Sequence, residues 1–249
     1  MTGFMNEPSN FSFKVLRFKD LTVLSNSAAD HISNLFGSDP FHFVLTGGST
    51  SKTLYKILSE RNLDWKNVRF WWGDERCVPP DHPDSNFGMA QKTLLSKISV
   101  EQDDIYRMKG EMEPASAALE YEGHLRKVFG RSGIPSFDLL LLGMGEDGHV
   151  ASLFPGSSAL KVQNRLVVHN YVEKLQANRL TMTFPLLNHA KRILFLVSGA
   201  SKANALQHVL EGEFDPHRYP AQGIRPVHGE LIFFVDEAAA SMLKVQSNE

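Results

Sequence analysis

The densest chemistry in this chain lies between Phe137 and Gly156, in the run FDLLLLGMGEDGHVASLFPG. Leu139 to Leu142 are apolar without alternation. They give way to Gly143, Gly145 and Gly148, the carboxylates Glu146 and Asp147, and one imidazole, His149. Histidine changes charge near neutral pH, so a ring delivered to the end of a buried segment suits a general base acting on a bound substrate. A carboxylate is needed to orient such a ring and stabilise its charged form; residue types leave Asp147 and Asp74 both open for that task.

Other segments supply what could bind an anion. In Thr46-Gly47-Gly48-Ser49-Thr50, two glycines expose the backbone, hydroxyls follow, and a helix begins, which together make a phosphate cradle. The competing reading is a glycine turn in which Ser49 or Thr50 only caps the helix. Trp72-Gly73-Asp74-Glu75-Arg76 offers a guanidinium fork suited to phosphate or carboxylate, and the proline-stiffened Val78–Asn86 loop could wall the site. Arg179, and Lys202 at the start of a helix, add cations. A lysine there opposes the helix dipole, a penalty relieved by a bound anion.

Several chemistries are excluded. Gly143, Gly145 and Gly148 have the G-x-G-x-x-G spacing of dinucleotide sites. However, Glu146 and Asp147 put negative charge where a pyrophosphate would lie, and Pro155-Gly156 cuts short the helix that should follow. The Gly47 turn lacks the Gly-Lys-Ser/Thr ending of an ATP-binding loop. The other nine of the ten histidines show no metal-ligand spacing. Cys77, the single cysteine, rules out an intrachain disulfide, fits a reducing cytoplasm and reads as a buried thiol rather than a nucleophile. A net charge of −2 points to neither nucleic acid nor membrane. No apolar run approaches the about 20 residues of a membrane helix, and the start MTGFMNEPSNFSF has no secretory-leader pattern.

The elements that must position these residues alternate along the 249-residue chain. Strands are predicted at 13–18, 41–46, 68–72, 137–142, 165–169, 192–197 and 231–235. Helices are predicted at 20–35, 51–61, 85–96, 114–129, 202–210 and 237–244. This pattern predicts a single α/β domain over residues 1–249: a mostly parallel sheet with helices on both faces, a Rossmann-like open sandwich. Ligands of such sheets bind at the carboxyl ends of the strands, so each motif is expected on a strand-to-helix turn.

With these residues in hand, the chain resembles the 6-phosphogluconolactonase family, of the bacterial type related to glucosamine-6-phosphate isomerases. The likeness rests on LTGGST, WWGDERCVPPDHPDSN, FDLLLLGMGEDGHVASLFPG, RLTMTFPLLNHAKRILFLVSGASKA and GELIFFVDEAAA, spanning about Phe41 to Ala240. The resemblance implies hydrolysis of 6-phospho-D-glucono-1,5-lactone to 6-phospho-D-gluconate in the oxidative pentose phosphate pathway. It implies no metal or organic cofactor and a small sugar-phosphate lactone as substrate; the protein is expected to be a monomer or weak homo-oligomer. The family's base falls on His149. Its phosphate-binding groups fall on Gly47, Gly48, Ser49 and Thr50, with Arg76, Arg179 and Lys202 as cationic partners. Val150 departs from the threonine that often follows the histidine. The nearest rival, glucosamine-6-phosphate deaminase/isomerase, uses a carboxylate soon after the histidine, where this chain has Ser152-Leu153-Phe154-Pro155. A non-catalytic sugar-phosphate sensor is the other alternative, and such proteins usually carry an added module.

Overall fold

The computed structural model describes residues 12–37 and 39–244; the residues read for a secretory leader lie mostly outside them. The strands are β1 (Lys14–Phe18), β2 (Phe41–Leu45), β3 (Val68–Trp72), β4 (Asp74–Arg76), β5 (Leu139–Gly143), β6 (Val167–Val172), β7 (Ala177–Met182), β8 (Arg192–Val197) and β9 (Glu230–Asp236). The helices are α1 (Leu21–Ser33), α2 (Ser49–Ser59), α3 (Asn86–Thr93), α4 (Pro114–Phe129), α5 (Phe184–Leu187) and α6 (Ala203–Glu211). Six strands form one sheet in the order β1-β9-β8-β5-β2-β3, and every pairing in it is parallel. The α/β class expected from the alternation is what the chain adopts.

Apolar runs explain this sheet. Leu139 to Leu142 are all buried; successive side chains on a strand point to opposite faces, so both faces are covered. From β2 the chain moves outward to β3, whereas from β5 it moves the other way to β8. The crevice between the ends of β2 and β5 is therefore a topological switch point, where ligands of open α/β sheets bind. Two buried tyrosines fasten strand ends at that edge. Tyr55 Oη on α2 accepts from Thr46 N and donates to Thr46 O, each at 2.8 Å. Tyr121 Oη on α4 does the same for Trp72, at 2.9 and 3.2 Å.

The expectation fails in four places. Residues 74–76, read as a loop, form β4. Strand β7 was not foreseen. The strand expected at 165–169 lies at Val167–Val172. All three belong to a separate antiparallel sheet in the order β4-β7-β6. The chain passes to this sheet at Gly73, whose N–H still donates to Leu45 O of the parallel sheet while its carbonyl accepts from Met182 N of β7. Finally, residues 237–244 form turns rather than a helix. Asp236 Oδ1 accepts from Ala239 N at 2.8 Å, but a segment so short gains too few bonds to offset helix nucleation.

Candidate functional site

One pocket of about 520 Å³ opens at the crevice, and all the sequence-predicted site residues line it: Gly47, Gly48, Ser49, Thr50, Asp74, Arg76, Asp147, His149, Arg179 and Lys202. It has two chemically different walls.

The first wall is the loop after β5. Its backbone folds on itself: Gly145 N donates to His149 O at 2.9 Å and Gly148 N to Gly145 O at 3.1 Å. A Cβ on Gly145 would overlap both the His149 ring and the Asp147 carboxylate, so only glycine leaves room for the pair to meet there. His149 Nδ1 lies 2.5 Å from Asp147 Oδ1. An ionised carboxylate only accepts, so Nδ1 is the donor in this bond; in the neutral ring that leaves the lone pair on Nε2. The face of the imidazole stacks on Phe154, with centroids 4.2 Å apart. Lys174 Nζ lies 3.3 Å from Asp147 Oδ2. Burial pushes the Asp147 carboxyl upward. The hydrogen bond and charge of His149, its backbone N–H and the Lys174 ammonium outweigh this and hold it well below the usual carboxylate range.

Of the two carboxylates open as orienters, Asp147 thus holds the ring. Asp74 is buried elsewhere on the wall, where its Oδ2 accepts from Ser152 Oγ at 2.7 Å and its Oδ1 from Asn86 Nδ2 at 3.3 Å. No bond from Asp74 to His149 occurs among the described residues. Val150 is fully buried and is not part of the pocket wall, so its departure from threonine takes no group from the pocket.

The second wall is cationic and polar. Gly48, at φ 101°, caps α2, and no side chain bonds to the helix start. Ser49 and Thr50 are already helical residues and do not cap it. Ser51 Oγ turns back to Gly47 O and Gly48 O, both at 2.9 Å. The first N–H groups of α2 are therefore left for an anion. Arg76 and Arg179 are direct register partners across β4 and β7. The arginines therefore come from neighbouring strands rather than from strand-to-helix turns. Burial and then the adjacent Arg76 charge pull the Arg179 guanidinium below its ordinary value. Two like charges side by side are costly unless an anion bridges them. Lys202 caps α6 from the other side, with Nζ 4.0 Å from Glu146 Oε1.

The sequence reading did not name Ser152, Phe154, Lys174 or Ser198 as site residues, and had Asn86 only as the end of a loop that could wall the site; all five line the pocket. Lys174 reaches it from the β6–β7 turn, so it was invisible without β7. Phe154 was identifiable as an aromatic five residues past the histidine. Glu75 is buried and structural: it accepts from Arg76 N, Asn86 N, Phe87 N and Ser85 Oγ, which ties the 77–85 loop to β4. Cys77, expected to be buried, is only half-buried, and that burial pushes its thiol up to about 11. No cluster of three or more metal-ligating side chains occurs among the described residues.

Residues 21–233 match the family model described as glucosamine-6-phosphate isomerases/6-phosphogluconolactonase. A 6-phosphogluconolactonase of Synechocystis sp. is 43% identical over 203 residues, covering 80% of this chain and 83% of the relative. The solved structure of 6-phosphogluconolactonase from Trypanosoma cruzi superposes with a TM-score of 0.84 at 28% identity, covering 95% of this chain and 98% of that one. A monomeric glucosamine-6-phosphate deaminase superposes with a TM-score of 0.79 at 25% identity, covering 92% and 100%. By sequence and fold together, this chain belongs to the glucosamine-6-phosphate isomerase/6-phosphogluconolactonase family.

Proposed function

We propose that the protein hydrolyses 6-phospho-D-glucono-1,5-lactone to 6-phospho-D-gluconate, the lactonase step of the oxidative pentose phosphate pathway. It acts as a single α/β unit in the cytoplasm, monomeric or weakly self-associating, and needs no metal or organic cofactor. The observation that carries this reading is the opposition, in one pocket, of an Asp147-held imidazole and a cationic, N–H-lined cradle.

The phosphate sits at the start of α2, on the N–H groups of Ser49 and Thr50, with Arg76, Arg179 and Lys202 around it. Anchored there, the sugar acid presents its carbonyl to His149. Nε2 takes a proton from water as the water attacks, and the imidazolium then protonates the leaving ring oxygen. Asp147 keeps Nδ1 protonated and stabilises the imidazolium without taking its proton. A backbone N–H or a guanidinium stabilises the tetrahedral oxyanion. No covalent intermediate is required, because an ester of this reactivity yields to activated water.

The sequence favours this reading over deamination: Ser152, Leu153, Phe154 and Pro155 supply no carboxylate after the histidine. The test is lactone hydrolysis above the spontaneous background, run beside an ammonia assay with glucosamine 6-phosphate. Lactone turnover without ammonia is expected. Ammonia release without lactone turnover overturns the reading, and tight sugar-phosphate binding with neither activity would make the protein a sensor.

A further inference from the structure

Resting on the lactonase reading, we propose that Ser152 is a positioning residue that sets the distance between the histidine wall and the phosphate wall through a buried polar brace, Ser152–Asp74–Asn86. Ser152 Oγ donates to Asp74 Oδ2 at 2.7 Å across 78 residues of sequence. Asp74 is joined in turn to Asn86, whose Nδ2 donates to Asp74 O at 3.0 Å and to Oδ1 at 3.3 Å. The Asn86 amide then packs so closely on Gly47 that a Cβ there would overlap it. Ser152, Asp74 and Asn86 are 2%, 7% and 2% exposed, so each polar group needs the next.

The brace therefore runs from the cradle glycine, through the strand that carries Arg76, to the loop that carries the base. The histidine loop is closed on itself by the Gly145–His149 and Asp147–His149 bonds. Cutting the brace moves it as a unit rather than scrambling it. Other ties limit that movement: Ser152 N donates to Thr181 Oγ1, Asn170 Nδ2 to Ser152 O, and Ala221 N to Gly148 O. A substrate fixed by its phosphate would then present its carbonyl off the line of Nε2, and small misplacements are costly to rate.

The test is Ser152→Ala, read by kcat, by the inhibition constant of inorganic phosphate and by the acid limb of the pH–rate profile. A lower kcat is expected, by about 10- to 100-fold. Phosphate inhibition and the acid limb should stay where they were, because each wall is intact by itself. Ser152→Cys keeps the volume with a weaker donor; its kcat should fall between the two, and it serves if Ser152→Ala does not fold. An unchanged kcat overturns the proposal, as does a kcat loss matched by weaker phosphate inhibition or a displaced acid limb. An unaltered protein without lactone turnover would overturn the functional reading and the brace with it. An active one whose Ser152 variants keep full turnover overturns the brace alone.

Discussion

The two walls of the pocket differ in how far they are satisfied before any ligand arrives. On the histidine wall, each group is already engaged: Nδ1 by Asp147, the ring face by Phe154, and the second carboxylate oxygen by Lys174. On the phosphate wall, two guanidiniums lie in register, a lysine sits at a helix amino end, and the first turn of α2 has no side-chain cap. The first wall is built to keep one geometry and the second to receive charge. In the proposed reaction a preorganised base lowers the barrier to the chemical step, whereas neighbouring like charges gain from the ligand in ground state and transition state alike.

That contrast is broken most severely at His149. Removing the base in His149→Ala is expected to lower kcat by about 10²–10⁴-fold, measured as lactone hydrolysis above background. Asp147→Asn leaves the ring in place but removes the negative charge and lets an amide NH2 donate to Nδ1, so the tautomer is no longer fixed; a kcat loss of about 10²–10⁴-fold is expected, with KM nearly unchanged. Arg179→Ala strikes the other wall. KM should rise by about 10- to 100-fold, the worth of a charge-assisted bond, with kcat little affected.

The same wall can be probed without turnover. Inorganic phosphate at about ten times its Kd should stabilise the fold by about 1.4 kcal/mol, a rise in Tm of about 3–6 °C by calorimetry. Arg179→Ala should diminish that rise, and Asp147→Asn should not.

The smallest expected effect lies outside the pocket. His42 Nδ1 accepts from Trp71 Nε1 at 3.1 Å. Burial lowers its pKa from 6.5 to about 4, with Asp138 opposing and Arg69 assisting. Between those values the unfolded chain binds a proton that the folded chain does not. Stability from this group is therefore complete above about 6.5 and drains away as pH falls toward about 4. His42→Gln should flatten that part of a denaturation-versus-pH curve by at most one proton's slope.

The walls also differ in how legible they were in sequence. In FHFVLTGGST and FDLLLLGMGEDGH an apolar run ends in glycines, so strand, turn and site are marked together. Buried parallel strands must be apolar on both faces, which makes that signal strong. β4 has only Asp-Glu-Arg, three charged residues whose extended form depends on pairing with β7, about 105 residues away in the chain. Arg76 and Arg179 were expected at the site and both line the pocket, but what sets them side by side was not visible. Ser152 was missed, and Asn86 was read only as the end of a loop, for a related reason. A small polar residue reveals nothing until its partner, 78 or 12 positions away, is known. At the other extreme, Glu237–Lys244 reads as helical by composition and forms turns, because local propensity is weak in a short terminal segment.

Steady-state lactone hydrolysis by His149→Ala and Arg179→Ala, measured side by side against the unaltered protein, tests most directly whether the two walls divide the work. The account requires the first variant to lose turnover at saturating substrate while keeping its KM, and the second to lose apparent affinity while keeping turnover. A folded His149→Ala protein with undiminished turnover would contradict it, as would two variants impaired in the same parameter to the same degree.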